Sequence, residues 1–371
     1  MNSKSPKIMI LYASYGNGHF QASKAIESVF RSKGVSDIVL LDLMAQAHPL
    51  LNSLTKFVYI QSFKTLPSIY GWVYNATRNM QSGAALLRIL NSFGANTLLE
   101  AVTSFDPDLV IHTFPQLTLP RLMKKTGKTI PLINIITDFD LHGRWIHPDI
   151  DRYYVATDDL KQEMKELGIP EERIIASGIP IQPDFSRLKE HPTESMLQKN
   201  KKTVLLMAGA YGVLQGNYEI CKALTSGGHY QLIVVCGHNK ELYRQLNHHF
   251  GSHPDVHIYG YVNDVPSLMK KSDCIITKPG GITLSEAIEC FLPLILYRPV
   301  PGQELNNAIY LQRKGVALIA HDVDSLVLQI HSMLQDESRL QDIRSKINDL
   351  RKPEAAEVIV NDIMELCFVT S

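Results

Sequence analysis

Two sets of four short, largely apolar runs, parted by a charged stretch from Arg187 to Lys202, constrain this chain more than any other feature. The first set is Ile8-Met9-Ile10-Leu11-Tyr12, Ile38-Val39-Leu40-Leu41, Leu109-Val110-Ile111 and Leu132-Ile133-Asn134-Ile135-Ile136. The second is Thr203-Val204-Leu205-Leu206-Met207, Leu232-Ile233-Val234-Val235-Cys236, Cys274-Ile275-Ile276 and Leu294-Ile295-Leu296-Tyr297. A run without polar alternation is a strand covered on both faces, and helical spacing between such runs is how parallel sheets are built. The expectation is an α/β chain of two doubly wound, Rossmann-like domains. They divide at 1–182 and 183–371, with the last helix packing back on the first domain. Ligands of open parallel sheets collect at the carboxyl ends of the strands, so function is expected in a cleft between the halves.

A length of 371 residues exceeds one comfortable core and fits two domains of ordinary size. The 37 basic and 37 acidic residues cancel, so no global field favours nucleic acid, and none is expected as a partner. Cys221, Cys236, Cys274, Cys290 and Cys367 form no C-x-x-C pair, which fits a reducing cytosol. A short polar lead before Ile8 leaves no room for a signal peptide, and no stretch approaches the roughly 20 apolar residues of a spanning helix. The expected location is cytoplasmic, with contact at a membrane surface left open.

Glycine-bearing turns follow the first strand of each set: Ser14-Tyr15-Gly16-Asn17-Gly18 and Ala208-Gly209-Ala210-Tyr211-Gly212. His19 falls in the first turn of the helix predicted over Gln21 to Phe30. The positive end of a helix dipole disfavours imidazolium, and a neutral imidazole is what removal of a proton from an acceptor hydroxyl needs. A plain turn followed by a surface histidine fits the same letters. Asp138, leaving its strand in Thr137-Asp138-Phe139-Asp140, is placed to orient His19 or steady its charged form. Asp138-x-Asp140 also has the form of a metal-binding pair, but Asp106-x-Asp108 and Asp149-x-Asp151 match it equally, and no metal site is expected. Trp145, within Arg144-Trp145-Ile146-His147, suits a sugar or lipid headgroup, or equally a packed core position. His248, His249, His253 and His257 have no cysteine partners or helical spacing with a base, and read as surface residues.

The densest constellation is Lys278-Pro279-Gly280-Gly281-Ile282-Thr283-Leu284-Ser285-Glu286. Two glycines where a strand hands over to a helix make an anion site suited to a diphosphate, with exposed backbone donors and no side chain in the way. Glu286 is placed to accept from ribose hydroxyls. Thr283-x-x-Glu286 also has the form of a capping box, and both roles fit. Further on, Gln303, Glu304, Asn306 and Asn307 offer amides and a carboxylate for the hydroxyls of a hexose.

Between Leu50 and Leu90 the chain carries Phe57, Tyr59, Phe63, Tyr70, Trp72 and Tyr74 with Lys56, Lys64, Arg78 and Arg88, and almost no acid. Such a segment suits an anionic bilayer surface or a greasy acceptor site; an ordinary helical pair fits too.

As an ordered set, Gly16-Asn17-Gly18-His19, Thr137-Asp138, Arg144-Trp145-Ile146-His147, Gly178-Ile179-Pro180, Lys278 through Glu286 and Pro301-Gly302-Gln303-Glu304 resemble one family. It is that of the monogalactosyldiacylglycerol synthases and bacterial processive diacylglycerol glucosyltransferases, relatives of the peptidoglycan transferase MurG. The resemblance covers nearly the whole chain. It implies a GT-B fold, a UDP-sugar donor (UDP-glucose or UDP-galactose) in the C-terminal domain, and metal-independent inverting transfer to diacylglycerol or a related glycolipid held by the N-terminal domain. The UDP-sugar is then a substrate, and no cofactor is expected. By position, the resemblance makes His19 the base, sets Tyr261 and Val262 beside the uracil and Glu286 on the ribose, and brings Gln303 and Glu304 to the sugar. Gly209, Ala210, Tyr211 and Gly212 would face the diphosphate. The first loop has one glycine fewer than the Gly-Gly-Gly-His of plant-like members. Segment 50–90 falls where lipid-using members meet acceptor and membrane. The alternatives are a UDP-sugar epimerase of the same architecture and a nucleotide-sugar sensor that binds a protein partner without turnover.

Overall fold

The computed structural model describes residues 5–14, 17–47, 67–78, 94–115, 118–186, 198 and 200–368, which fall into two compact units. Unit one takes in the described residues of Met1–Pro183, Val300–Gln303 and Lys352–Ser371; unit two, those of Asp184–Pro299 and Glu304–Arg351.

In unit one the order is β1 (Ile8–Tyr12), α1 (Gly18–Ser32), β2 (Ile38–Asp42), α2 (Leu43–Ala47), α3 (Pro67–Arg78), α4 (Ala95–Phe105), β3 (Leu109–His112), α5 (Thr118–Thr126), β4 (Leu132–Ile135), β5 (Arg152–Tyr154), α6 (Asp158–Glu166) and β6 (Ile174–Ile175). Unit two runs β7 (Lys202–Met207), α7 (Asn217–Thr225), β8 (Tyr230–Val235), α8 (Lys240–Phe250), β9 (Val256–Tyr259), α9 (Val265–Lys270), β10 (Cys274–Thr277), α10 (Gly281–Glu289), β11 (Leu294–Tyr297), α11 (Gln303–Arg313), β12 (Ala317–Ala320), α12 (Val323–Leu334) and α13 (Glu337–Leu350). Helix α14 (Ala355–Phe368) belongs to unit one again.

Each unit is built on one six-stranded sheet, ordered β2-β1-β3-β4-β5-β6 and β12-β11-β10-β7-β8-β9, and every pairing is parallel. The apolar runs form the strands because both faces are covered. In unit one, Ile8, Ile10, Leu109, Ile111, Ile133 and Ile135 are sealed by Ala25, Ile26, Val29 and Phe30 of α1 and by Ala356, Ile359, Val360 and Ile363 of α14. Burial of a side chain the size of Phe30 or Ile359 contributes about 1.5–3 kcal/mol. Tyr154 anchors α14 further, its hydroxyl donating to Asp362 Oδ2 at 2.7 Å.

The strand order locates the sites. Sheet one reverses its direction of winding between β1 and β3, and sheet two between β7 and β10. At such reversals the flanking crossovers leave on opposite faces and open a crevice at the carboxyl edge. His19 follows β1, and Lys278 to Gly281 follow β10, so both predicted centres stand at reversal points. No described helix is long and apolar enough to cross a membrane.

Candidate functional site

In unit one the imidazole of His19 is held on two sides. Thr137 Oγ1 lies 3.0 Å from its Nδ1, and the ring of Phe114 meets it edge-on with centroids 5.1 Å apart. Ser23 Oγ donates to the His19 carbonyl at 2.9 Å and sits 3.0 Å from Thr113 Oγ1, which pins the first turn of α1 to the end of β3. His19 keeps an exposed edge, yet the protein packed around it lowers its pKa to about 4, against a smaller raising effect of the Thr113 backbone. The ring is therefore neutral at pH 7 and has a lone pair to offer.

This geometry changes the expected partnership. Thr137, one residue before Asp138, meets the His19 ring nitrogen, while Asp138 is buried and accepts a hydrogen bond from Gln303 Nε2. Gly18 opens α1, with Asn17 as an N-cap residue that makes no side-chain capping bond; Gly16 lies outside the described residues.

Trp145 requires a correction. It is 2% exposed, in a short 3-10 turn at Gly143–Trp145, and its carbonyl accepts from Asn134 Nδ2 at 2.8 Å. It is a packed residue that cannot present its ring to a lipid or sugar. Its burial follows from a polar row, His112, Asn134 and Tyr153, on registered positions of β3, β4 and β5; the Tyr153 hydroxyl bonds both the N–H and the carbonyl of His147.

Of the basic aromatic segment, Phe57, Tyr59 and Phe63 lie outside the described residues, as does the side chain of Tyr70. Helix α3 is docked along one face: the Tyr74 hydroxyl donates to Asp140 at 2.9 Å, Arg78 pairs with Asp140 at 2.6 Å, and Thr77 Oγ1 lies 3.3 Å from His142 Nε2. Trp72 points the other way and is 71% exposed.

In unit two, α10 starts at Gly281 with Gly280 as its N-cap residue and no side-chain capping bond. Thr283 is thus the third helical residue and Glu286 lies in the second turn, so the capping box that Thr283-x-x-Glu286 suggests does not form. The first backbone bond into the helix runs from Leu284 N to the Gly280 carbonyl, which leaves the N–H groups of Gly281, Ile282 and Thr283 without intrahelical partners. A Cβ built on Gly280 would meet nothing within 4 Å, and its φ is −80°, so the protein itself makes no demand for glycine there. Open space before unpaired N–H groups is what a phosphate needs. The Glu286 carboxyl makes no hydrogen bond among the described residues, and burial pushes its pKa up to about 8 although part of its surface is open.

Lys278 Nζ pairs with Glu304 Oε1 at 2.5 Å. Asn307 departs from the expectation that it reads a sugar: it is 0% exposed, and its amide donates to the Pro279 carbonyl at 3.1 Å. Across the sheet, the turn of Gly209 to Gly212 docks on the turn after β8. His238 N donates to the Ala210 carbonyl at 2.9 Å, and a Cβ on Gly237, whose φ is +60°, would stand 2.5 Å from that same oxygen. Tyr211 is exposed at the rim. Tyr261, half exposed, stacks on His238 with centroids 4.2 Å apart and planes 14° from parallel, and Val262 beside it is half-buried. Sequence spacing does not single out Phe114 or His238; the available signal is that each follows a strand at its carboxyl end.

Among the described residues no group of three or more His, Cys, Asp or Glu is placed to hold a metal ion. His248 and His249 are exposed, and His253 and His257 half-buried.

Residues 19–181 match the model of the monogalactosyldiacylglycerol (MGDG) synthase family, and residues 191–349 that of the group 1 glycosyl transferases. The processive diacylglycerol beta-glucosyltransferase of Bacillus thuringiensis (strain Al Hakam) is 40% identical over 98% of this chain and 94% of its own length. That of Bacillus cereus (strain AH820) is 40% identical over 97% and 94%. Among solved structures, Acinetobacter baumannii MurG matches 97% of this chain and 100% of its own with a TM-score of 0.63 at 15% identity. S. aureus MnaA, solved with UDP, matches 97% and 96% with a TM-score of 0.65 at 15% identity. At that identity the structures share the fold alone.

Proposed function

Because this chain belongs to the family of processive diacylglycerol beta-glucosyltransferases, we propose that it moves a hexose from UDP-glucose or UDP-galactose to diacylglycerol or a related glycolipid, with inversion. It is a hexosyltransferase. The observation that carries the substrate reading is the start of α10, where N–H groups without intrahelical partners stand beside the open space at Gly280 and the Glu286 carboxyl makes no hydrogen bond among the described residues.

In the proposed reaction the acceptor hydroxyl oxygen bonds to the anomeric carbon as the bond from that carbon to the β-phosphate oxygen breaks. The electron pair leaves with UDP, whose charge is met by the α10 N-terminus. The hydroxyl proton passes to His19: with Nδ1–H donating to Thr137, Nε2 keeps the lone pair that receives it. Glu286 holds the ribose, Tyr261 and Val262 flank the uracil, and the Gly209–Gly212 turn faces the diphosphate. Gln303 and Glu304 meet the sugar. No metal ion or organic cofactor enters the proposal, and the UDP-sugar is a substrate. The protein works peripherally at the inner face of the membrane, a reading supported by the exposed Trp72 on α3.

Incubation of the purified protein with either UDP-sugar and diacylglycerol vesicles tests this reading. Glycolipid and free UDP are expected together. Tight UDP binding with no lipid product from either donor would leave a sensor, and conversion of the UDP-sugar without acceptor would indicate an epimerase.

A further inference from the structure

Two bonds tie α11 to the turn that precedes α10. Lys278 Nζ reaches Glu304 Oε1 at 2.5 Å, with both side chains mostly covered, and Asn307 Nδ2 reaches the carbonyl of Pro279 at 3.1 Å. Glu304 and Asn307, three apart on one helix, share a face and grip successive residues of the other segment. Glu304 also stands in the first turn of α11, where the helix dipole favours a carboxylate. Lysine and glutamate each lose rotamer freedom when a ligand orders them, and a pair ordered beforehand avoids that loss on binding.

We propose that Lys278 is a positioning residue for sugar recognition: it holds the Glu304 carboxylate in the orientation that accepts hydroxyls of the donor hexose, and so sets how well the protein distinguishes a UDP-hexose from UDP. The inference rests on the reading that unit two binds the UDP-sugar. A carboxylate has about four acceptor positions, more than one ammonium fills. Without Lys278 the mostly covered carboxylate loses this ion pair. The Asn307 bond to Pro279 remains and keeps the turn in place.

Calorimetric titration of the full chain with UDP and with UDP-glucose tests this, using wild type, Lys278→Met, Lys278→Arg, Glu304→Gln and the Lys278→Met/Glu304→Gln double variant. Lys278→Met is expected to weaken UDP-glucose binding roughly tenfold, the scale of one charge-assisted hydrogen bond, and UDP binding less than about twofold. Glu304→Gln should match it, the double variant should be no worse than either single one, and Lys278→Arg should recover most of the loss. Equal weakening of both ligands by Lys278→Met would overturn the proposal, because Lys278 would then act on the diphosphate itself. Unchanged UDP-glucose binding would overturn it as well. Wild-type protein that binds neither nucleotide overturns the donor reading, and this inference with it.

Discussion

Thr137 Oγ1 lies 3.0 Å from Nδ1 of His19, so a neutral hydroxyl touches the ring nitrogen. With burial as the largest influence, the imidazole stays neutral down to about pH 4. Thr137→Val keeps the shape and removes the hydrogen bond that holds the ring in its orientation. We expect kcat to fall about tenfold, the worth of one well-placed hydrogen bond, with UDP affinity unchanged. Steady-state kinetics alongside UDP titration checks both numbers.

If Glu286 holds the ribose, as proposed, donor binding depends on pH. Its carboxyl titrates at about 8 in the ligand-free protein, pushed up by burial. Ribose hydroxyls would then donate to the ionised form, so UDP affinity should rise from pH 6.5 to 8 and level off above, and Glu286→Gln should flatten the profile. Stability runs the other way. A carboxyl that holds its proton more tightly in the folded state adds stability below its ordinary value of 4.5, and that contribution is lost as pH rises from there through about 8. Thermal melts of wild type and Glu286→Gln across this window give the difference.

Two glycines separate ligand demand from fold demand. Gly280 has an ordinary φ of −80° and an empty Cβ direction, so Gly280→Ala should change stability by less than about 1 kcal/mol. On the proposed reading the added methyl enters the space that phosphate would occupy, and UDP affinity should drop. Gly237 has φ +60° and a Cβ position 2.5 Å from the Ala210 carbonyl oxygen, so Gly237→Ala should destabilise the fold by about 1–3 kcal/mol. Melting and UDP titration of both variants separate the cases.

Trp72 is exposed while Tyr74, Thr77 and Arg78 dock the other face of α3. Trp72→Ala should leave the melting temperature in place and reduce sedimentation with anionic vesicles several-fold. Equal sedimentation of the two proteins would remove the support that Trp72 lends to a membrane role.

The strands were legible in sequence because runs such as Val204-Leu205-Leu206 are buried on both faces, which composition alone records. The Lys278 to Glu286 element was legible for a related reason: Gly-Gly directly after a strand has few uses apart from a close backbone approach. Thr137 and Asp138 are adjacent letters, and which of them meets His19 depends on the path of the chain beyond β4, which letters alone do not record. Trp145 and Asn307 are polar-capable residues beside site motifs; their burial is decided by Asn134 and Pro279, partners 11 and 28 residues away in sequence. The capping box failed because α10 begins three residues earlier than its letters suggest, at the glycines.

The central claim is that His19 removes the acceptor proton in a hexosyl transfer whose donor is held by other residues. The most direct test is glycolipid formation by His19→Ala from UDP-glucose and diacylglycerol vesicles, with UDP affinity measured on the same preparation. Loss of a general base predicts glycolipid formation slowed by about 10²–10⁴-fold, with UDP bound as tightly as by wild type. A His19→Ala protein that forms glycolipid at the wild-type rate would contradict the account.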